Sequence, residues 1–563
     1  MTLREPQGKP TTEVLAEAKA WRDQDPDRAT VAELDQVIED AEAGLPAATA
    51  DLADRFAAPL AFGTAGLRGA LGAGPNRMNR VVVAHAAAGL AAYLVARDKR
   101  PSIVIGYDGR RNSDVFAKDT AELMAGAGVR AILLPRLLPT PVLAFAVRHL
   151  EVGAGVMVTA SHNPANDNGY KVYLGGLDHG SQIVPPVDGL IADEIARVAA
   201  SGAVADLPRS KEYETADDSV VEAYVKATAR LVGSDRKPLV FAYTPMHGVG
   251  WETAKRVFES AGFDEPHVVK EQLEPDPTFP TVVFPNPEEP GAMDLVLAAA
   301  EAAGADLAIA NDPDADRLAV GIPTANGWRR LTGNEVGSIL GWRAAERTLD
   351  GRDDTGTLAA SLVSSPALKE IARKYNLDFE DTLTGFKWIS RVGGLTYGFE
   401  EALGYLVDPG KVRDKDGISA AVDMLALAAE LKSEGRTMED HLVEFAEKFG
   451  GYASAQISLR VDDLSDIGRM MTALRETPPA DVGGVRVTQI DDFHDGFGKF
   501  PANDILRIWV EGDGRIVVRP SGTEPKLKAY IDASSTDGTG RQRLAAAAKA
   551  VATLERGMRK ILK

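Results

Sequence analysis

Three acidic side chains at alternate positions, Asp312, Asp314 and Asp316 in NDPDADR, follow the apolar run Asp306 to Ala310, which reads as a buried strand. Alternate side chains of an extended loop point the same way, so the three carboxylates can converge. Three uncompensated charges that close repel one another, which favours a bound hard cation, and oxygen-only ligation suits Mg²⁺. A D-x-D-x-D run also opens an EF-hand, but Arg317 stands where that loop needs glycine and Pro323 where it needs a bidentate glutamate. A calcium loop is therefore excluded, and a solvated acidic turn is the plain alternative.

A second group lies in VMVTASHNPANDNGYKVY, where the strand Gly155 to Thr159 delivers Ser161 and His162 into a loop at its carboxyl end. In open α/β sheets ligands bind there. By itself a serine in such a loop is ordinary turn chemistry, and adjacency alone does not make His162 its base. Further along, Arg519, Ser521, Gly522, Thr523 and Lys526 in RPSGTEPK set a guanidinium, two hydroxyls, a glycine-exposed backbone and an ammonium within eight residues, a cradle for an anion. FGTAGLRG, residues 62 to 69, surrounds Thr64 and Arg68 with glycines that would admit an anion to the backbone. A serine, an acidic metal loop and a phosphate cradle point to phosphoryl transfer, with Lys171 or Arg317 adding positive charge at the transferring group. The G-x-S-x-G elbow of acyl transfer and the Walker loop are both absent.

The elements that position these groups follow from periodicity. Residues 1 to about 60 read as helices without chemistry, with Thr30 opening a capping box. From residue 102 strands alternate with helices: strand 102–107, helix 114–127, strand 129–134, then the strand that ends in the Ser161 loop. Arg110 and Arg111 between them read as a solvated pair. A polar stretch with an acidic helix near 212–230 leads to a second α/β pattern with helices near 251–262 and 291–303. A third carries helices near 334–349, 366–374, 414–434 and 437–449. After Gly450 and Gly451 short strands mix with helices near 464–476 and 539–562, a smaller α+β pattern. The expected divisions are 1–210, 211–325, 326–449 and 450–563.

The 563 residues carry a net charge of −19, which repels nucleic acid, so positive charge for an anionic ligand must be concentrated locally. There is no cysteine, which removes disulfides, thiolate nucleophiles and zinc-thiolate sites. The amino terminus has no apolar signal core, and the longest apolar stretch, Val81 to Ala96, is shorter than the ~20 residues of a membrane span. A cytoplasmic protein without a membrane partner is expected.

TASHNP, DPDADR, FEEALGY and RPSGTEPK, in this order and spacing over residues 60 to 530, resemble the α-D-phosphohexomutase superfamily of phosphoglucomutases and phosphomannomutases. The resemblance implies an α/β fold: three related α/β domains plus a smaller C-terminal α+β domain around a central cleft. It implies Ser161 as a phosphoserine, Mg²⁺ at Asp312, Asp314 and Asp316 together with that phosphate, and catalytic roles for Lys171, Arg68, Arg317 and His162. Glu400 and Lys387 would bind the sugar, and Arg519 to Lys526 the phosphate that is not reacting. The implied partners are small sugar phosphates, with a sugar bisphosphate as activator, and a monomer or homodimer as assembly. The implied reaction interconverts 1-phospho and 6-phospho hexoses. Glu400, Glu401 and Ala402 replace the family's common Glu-x-Ser and look more like the branch of phosphopentomutases and glucose-1,6-bisphosphate synthases, which is the alternative.

Overall fold

Apolar runs with no polar face need cover on both sides, and here they pair in parallel between helices. The computed structural model describes residues 9, 11–64, 66–350, 355–461, 463–521 and 526–563. Two contact-dense units emerge: Met1–Gly321 with Asp408–Leu425, and Ile322–Val407 with Ala426–Lys563. In the first unit Arg130–Leu133, Ser102–Tyr107 and Ala154–Val158 lie parallel, Asp167–Leu174 adds antiparallel beside Ala154–Val158, and Leu67–Ala70 lies antiparallel outside it. The helices Arg80–Val95 and Ser113–Gly126 share a core with these strands through Val83, Leu90, Phe116, Ile105, Val156 and Tyr170. Asn79 starts the first of these helices, its side chain accepting from Val82 N at 3.0 Å.

A second sheet of this unit pairs Phe241–Thr244 in parallel with Leu307–Asn311, and Leu307–Asn311 antiparallel with Leu318–Thr324. Its register sets Asn311 opposite Leu318, so the acidic loop is the short connection between two fully buried strand ends. The returning segment Asp408–Leu425 is held by buried polar bonds: Tyr173 and Gln182 donate to Asp414, and Tyr224 and Lys411 donate to Asp416.

In the second unit Asp378–Thr382, Thr357–Ser361 and Leu395–Glu400 run parallel, and Gly404–Leu406 turns back antiparallel. The last sheet is antiparallel throughout, in the order Gly451–Arg460, Lys526–Ser535, Gly514–Pro520, Leu506–Val510, Val485–Asp492, Asp481–Val482. Helices Leu464–Glu476 and Gly540–Ile561 complete this α+β part.

Several expectations are corrected. Helix Arg28–Glu42 starts ahead of Thr30: Asp27 is the cap, accepting from Ala29 N, while the Thr30 hydroxyl donates to Asp25 Oδ2 at 2.7 Å. The acidic helix near 212 begins only at Ser219, because Glu214–Thr215 is drawn onto the edge of the first sheet beside Arg130–Leu133. The helix expected from 291 starts at Asp294 and the one expected from 414 at Gly417. The stretch Val81 to Ala96 falls on the helix Arg80–Val95, most of which is buried in the core, and among the described residues no helix is long and apolar enough to cross a membrane.

Candidate active site

Ser161 sits in a turn whose backbone is forced. Its φ is +50°, a left-handed conformation that costs a non-glycine residue roughly 1 kcal/mol or more, and it persists because its surroundings dictate it. Ser161 N donates to Thr159 Oγ1 at 2.8 Å, and Arg110 braces the turn. One guanidinium nitrogen donates to Ser161 O and Asn163 O at 2.6 Å each, the other to Pro164 O at 2.8 Å and Asp167 O at 3.0 Å. Arg110 is only 3% exposed, so the reading of a solvated pair is wrong for it, while Arg111 is exposed. Asp108, buried beneath, accepts from Arg110 N and from the Ser113 hydroxyl. Of the glycines in FGTAGLRG, Gly66 is fixed by packing rather than by an anion: its φ is +75°, and a Cβ there would fall 1.8 Å from Tyr170 O. Arg68, on the next strand, donates to Asn163 Oδ1 at 3.3 Å and so reaches the same loop.

The acidic loop meets this serine across 151 residues of chain. Ser161 Oγ donates to Asp312 Oδ2 at 2.7 Å. His162 Nδ1 lies 3.1 Å from Ser161 Oγ. Since the hydroxyl has one proton and gives it to Asp312, the tautomer protonated at Nδ1 satisfies this contact. Burial, then the nearby Arg317 and Arg68, push the His162 pKa well below its usual value, so the ring is neutral. Lys171 Nζ donates to Asp314 Oδ2 at 2.8 Å and Asp316 Oδ2 at 3.1 Å, and Thr140 donates to Asp314 Oδ2 at 2.7 Å. Arg317 closes the loop, its backbone N donating to Asp312 Oδ1 at 3.0 Å.

Sequence reasoning missed Lys415, which the returning segment brings 3.1 Å from Asp316 Oδ2. A lysine set between acids in RDKDG was the available signal.

Burial, then the charges of Asp314 and Asp316, raise the Asp312 carboxyl well above the usual carboxylate range. Burial acts the same way on its neighbours, but Lys171 holds Asp314 below that range, and Lys171, Lys415 and Arg317 hold Asp316 below it. Lys171 in turn is raised: burial opposes its charge, and Asp314 and Asp316 outweigh burial. Two carboxylate oxygens, Asp314 Oδ1 and Asp316 Oδ1, are buried with no hydrogen-bond partner. One ligand atom from each of the three aspartates lies within 4.8 Å of the others. Orphaned oxygens in an all-oxygen cluster fit a hard divalent cation such as Mg²⁺.

In the second unit Glu400 ends the strand Leu395–Glu400, and Lys387 lies in the short helix Phe386–Ile389 that packs on that strand. Glu401 is turned inward, where its Oε2 accepts from Ser361 Oγ at 3.0 Å and Ser364 Oγ at 2.9 Å. Arg519 lies next to the end of the strand Gly514–Pro520, and Ser521 N donates to Lys526 O at 2.8 Å, which closes the base of the cradle. Gly522 and Thr523 lie outside the described residues.

Four models of one family match the chain in succession: phosphoglucomutase/phosphomannomutase alpha/beta/alpha domain I over residues 59–201, domain II over 222–325, domain III over 332–449, and the C-terminal domain over 471–549. A Haemophilus influenzae protein named "Probable phosphomannomutase" is 56% identical over 86% of this chain and 98% of its own. A phosphoglucomutase of Staphylococcus aureus is 34% identical over 85% of this chain and 90% of its own. In fold, the chain is similar to a phosphoglucomutase/phosphomannomutase family protein from Burkholderia thailandensis, with a TM-score of 0.67 and 20% identity over 89% of this chain and 96% of that one.

Proposed function

The chain belongs to the phosphoglucomutase/phosphomannomutase family of enzymes, and from that premise we propose that it interconverts 1-phospho and 6-phospho hexoses, glucose or mannose, through a phosphorylated Ser161 and a sugar bisphosphate. The observation that carries this reading is the 2.7 Å contact of Ser161 Oγ with Asp312 beside the two orphaned oxygens of Asp314 and Asp316. A nucleophile and a metal-binding loop share one buried place. The relatives named for mannose and glucose phosphates supply the substrate class. The pentose alternative rests on Glu401 and Ala402, and Glu401 is bound to Ser361 and Ser364 rather than offered to a sugar.

Asp312, Asp314 and Asp316 would hold Mg²⁺, which when bound supplies positive charge to the oxygens of the transferring phosphoryl group. In the first transfer the free hydroxyl of the sugar phosphate attacks phosphorus, the bond to Ser161 Oγ breaks, the sugar oxygen loses its proton and Ser161 regains one. The second transfer reverses these changes at the other end of the bisphosphate. Lys171, held protonated, flanks the transfer with Arg68 and Arg317 as fixed positive charge. Neutral His162 orients the serine hydroxyl. Glu400 and Lys387 grip sugar hydroxyls, and Arg519, Ser521, Gly522, Thr523 and Lys526 hold the phosphate that is not reacting, whichever it is in each half-reaction. The sugar bisphosphate also serves as activator by phosphorylating Ser161.

Comparison of kcat/KM for glucose 1-phosphate, mannose 1-phosphate and ribose 1-phosphate tests the substrate. A hexose preference is expected, and a strong preference for the pentose overturns the assignment. Intact-protein mass spectrometry tests the mechanism, because no phosphorylated species after incubation with glucose 1,6-bisphosphate would remove the phosphoserine.

A further inference from the structure

The turn LPTP, residues 138–141, opens the helix Thr140–His149, and its two prolines leave that helix without a cap of its own. Pro139 stands at the cap position with no side chain to accept a hydrogen bond, and Pro141 has no N–H. Val142 N and Leu143 N donate back to Pro139 O, at 3.0 and 3.4 Å, so Thr140 N is the first-turn donor left to be satisfied from elsewhere. Asp314 satisfies it: Thr140 N donates to Asp314 O at 2.9 Å. The Thr140 hydroxyl then reaches the same residue's carboxylate, donating to Asp314 Oδ2 at 2.7 Å. Thr140 is fully buried, which shields both bonds from solvent.

The backbone of the acidic loop is anchored independently of that hydroxyl. Val249 N donates to Pro313 O at 2.9 Å, and Gly248 packs so closely that a Cβ on it would fall 2.3 Å from Pro313 Cα. Tyr243 Oη donates to Asn311 Oδ1 at 2.9 Å, and Asn311 Nδ2 donates to Arg317 O at 2.7 Å, which ties the two ends of the loop together. What the Thr140 hydroxyl adds is the direction of one carboxylate. Asp314 Oδ2 is taken by Thr140 and by Lys171 at 2.8 Å, whereas Asp314 Oδ1 is buried with no hydrogen-bond partner. Lys171 by itself sets that direction loosely, because its ammonium also serves Asp316 Oδ2 at 3.1 Å and its rotatable donors impose no plane. A β-branched hydroxyl in a buried first turn is stiff at χ1.

We infer that Thr140 is a positioning residue of the cation site: it commits Asp314 to ligation through Oδ1 alone, and so favours Mg²⁺ over Ca²⁺. The inference rests on the reading of Asp312, Asp314 and Asp316 as the metal-binding loop. Mg²⁺ demands near-ideal octahedral geometry, which single oxygens in fixed directions supply, whereas Ca²⁺ takes more oxygens and accepts a carboxylate through both of its own. A carboxylate free to turn can offer two oxygens, and one held at Oδ2 by a hydroxyl and an ammonium offers one. Partners that orient a ligand in this way set metal affinity by about 10- to 100-fold.

Calorimetric titration of Mg²⁺ and of Ca²⁺ into the metal-free full chain reads this without turnover. Thr140→Val keeps the side chain's shape and the backbone bond but loses the hydroxyl. It should weaken Mg²⁺ binding about tenfold and change Ca²⁺ binding less than about threefold, so the preference for Mg²⁺ falls. Thr140→Ser keeps the hydroxyl and should restore the parent's preference, a rescue that packing damage alone would not give. Thr140→Ala removes the hydroxyl without adding bulk and serves if the valine variant does not fold. In turnover, Thr140→Val should need about tenfold more Mg²⁺ for half of its maximal rate, with KM for glucose 1-phosphate at saturating Mg²⁺ within about twofold of the parent. An unchanged ratio of the two affinities in the valine and alanine variants, whether both bind normally or both weaken equally, would overturn the inference. So would a serine variant that behaves like valine. A parent that binds neither cation would overturn the metal reading and the inference with it, whereas a parent that binds Mg²⁺ beside unaffected variants would overturn the inference alone.

Discussion

Each unit buries an arginine against backbone carbonyls, and the two do different work. Arg110 in the first unit gives its donors to four carbonyls of a single loop, with Asp108 only at 3.7 Å. Arg515 in the second unit bonds Asp532 directly and also donates to the carbonyls of Leu362 and Ser364, which follow a strand of a separate sheet. The first fixes one atom, Ser161 Oγ, in a strained turn. The second bridges segments that belong to two sheets of one unit. On the roles proposed above, damage to the first unit's site should appear in kcat and damage to the second unit's sugar and phosphate groups in KM.

The largest effect sharpens the first half of that contrast. Ser161→Ala should lower kcat by about 10⁴-fold or more, the scale for removing a covalent nucleophile, and abolish the phosphorylated species in intact mass. A variant with near-normal turnover would leave the Asp312 contact without a catalytic meaning. Next, Arg110→Met should lower kcat about 10²-fold with KM changed less than about threefold, because Ser161 loses its imposed geometry. The same change leaves Asp108 buried without its cation and should cost about 3 kcal/mol of stability, read by urea titration. A KM effect as large as the kcat effect would break the contrast.

What was legible beforehand follows the same division. Asp312, Asp314 and Asp316 stood out by residue type and local spacing, and Ser161 only through the acidic and anion-binding loops elsewhere in the chain and the family resemblance. Arg110, Lys415 and the inward turn of Glu401 did not stand out. Each depends on which distant segment packs against it: the loop 161–167 for Arg110, the acidic loop for Lys415, Ser361 and Ser364 for Glu401. A buried arginine that satisfies carbonyls has the same local sequence as a solvated one. The alternation of strands and helices was likewise readable. The start of the helix at Ser219 was not, because sheet-edge pairing captured the two residues Glu214–Thr215.

A smaller effect probes the second unit. Arg519→Ala should raise KM for glucose 1-phosphate about 10- to 30-fold, the loss of a charge-assisted fork on phosphate, with kcat within about threefold. Substrate-saturation curves separate the two constants. A fall in kcat without a rise in KM would place Arg519 at the reacting phosphate and undo the division of labour.

The smallest effect is a pH dependence confined to the second unit. His441 stacks on Trp342 at 4.5 Å between ring centroids, and neither ring nitrogen has a hydrogen-bond partner. Burial, opposed by Glu444 and reinforced by Arg436 and Arg343, lowers its pKa to about 4. The unfolded chain would protonate it near 6.5. Between those values the unfolded state binds a proton that the folded state refuses, so stability falls as pH drops through this window and is recovered as pH rises above it. The loss is about 2 kcal/mol at pH 5, as an order of magnitude. Tm should therefore fall between pH 7 and pH 5, and His441→Leu should flatten that part of the slope. Because His441 sits with Trp342 in the unit to which the sugar and phosphate contacts are assigned above, loosening at pH 5 should raise KM before it lowers kcat. An unchanged Tm slope in His441→Leu would assign the acid sensitivity elsewhere, and a kcat loss that precedes the KM rise would locate it in the transfer site of the first unit.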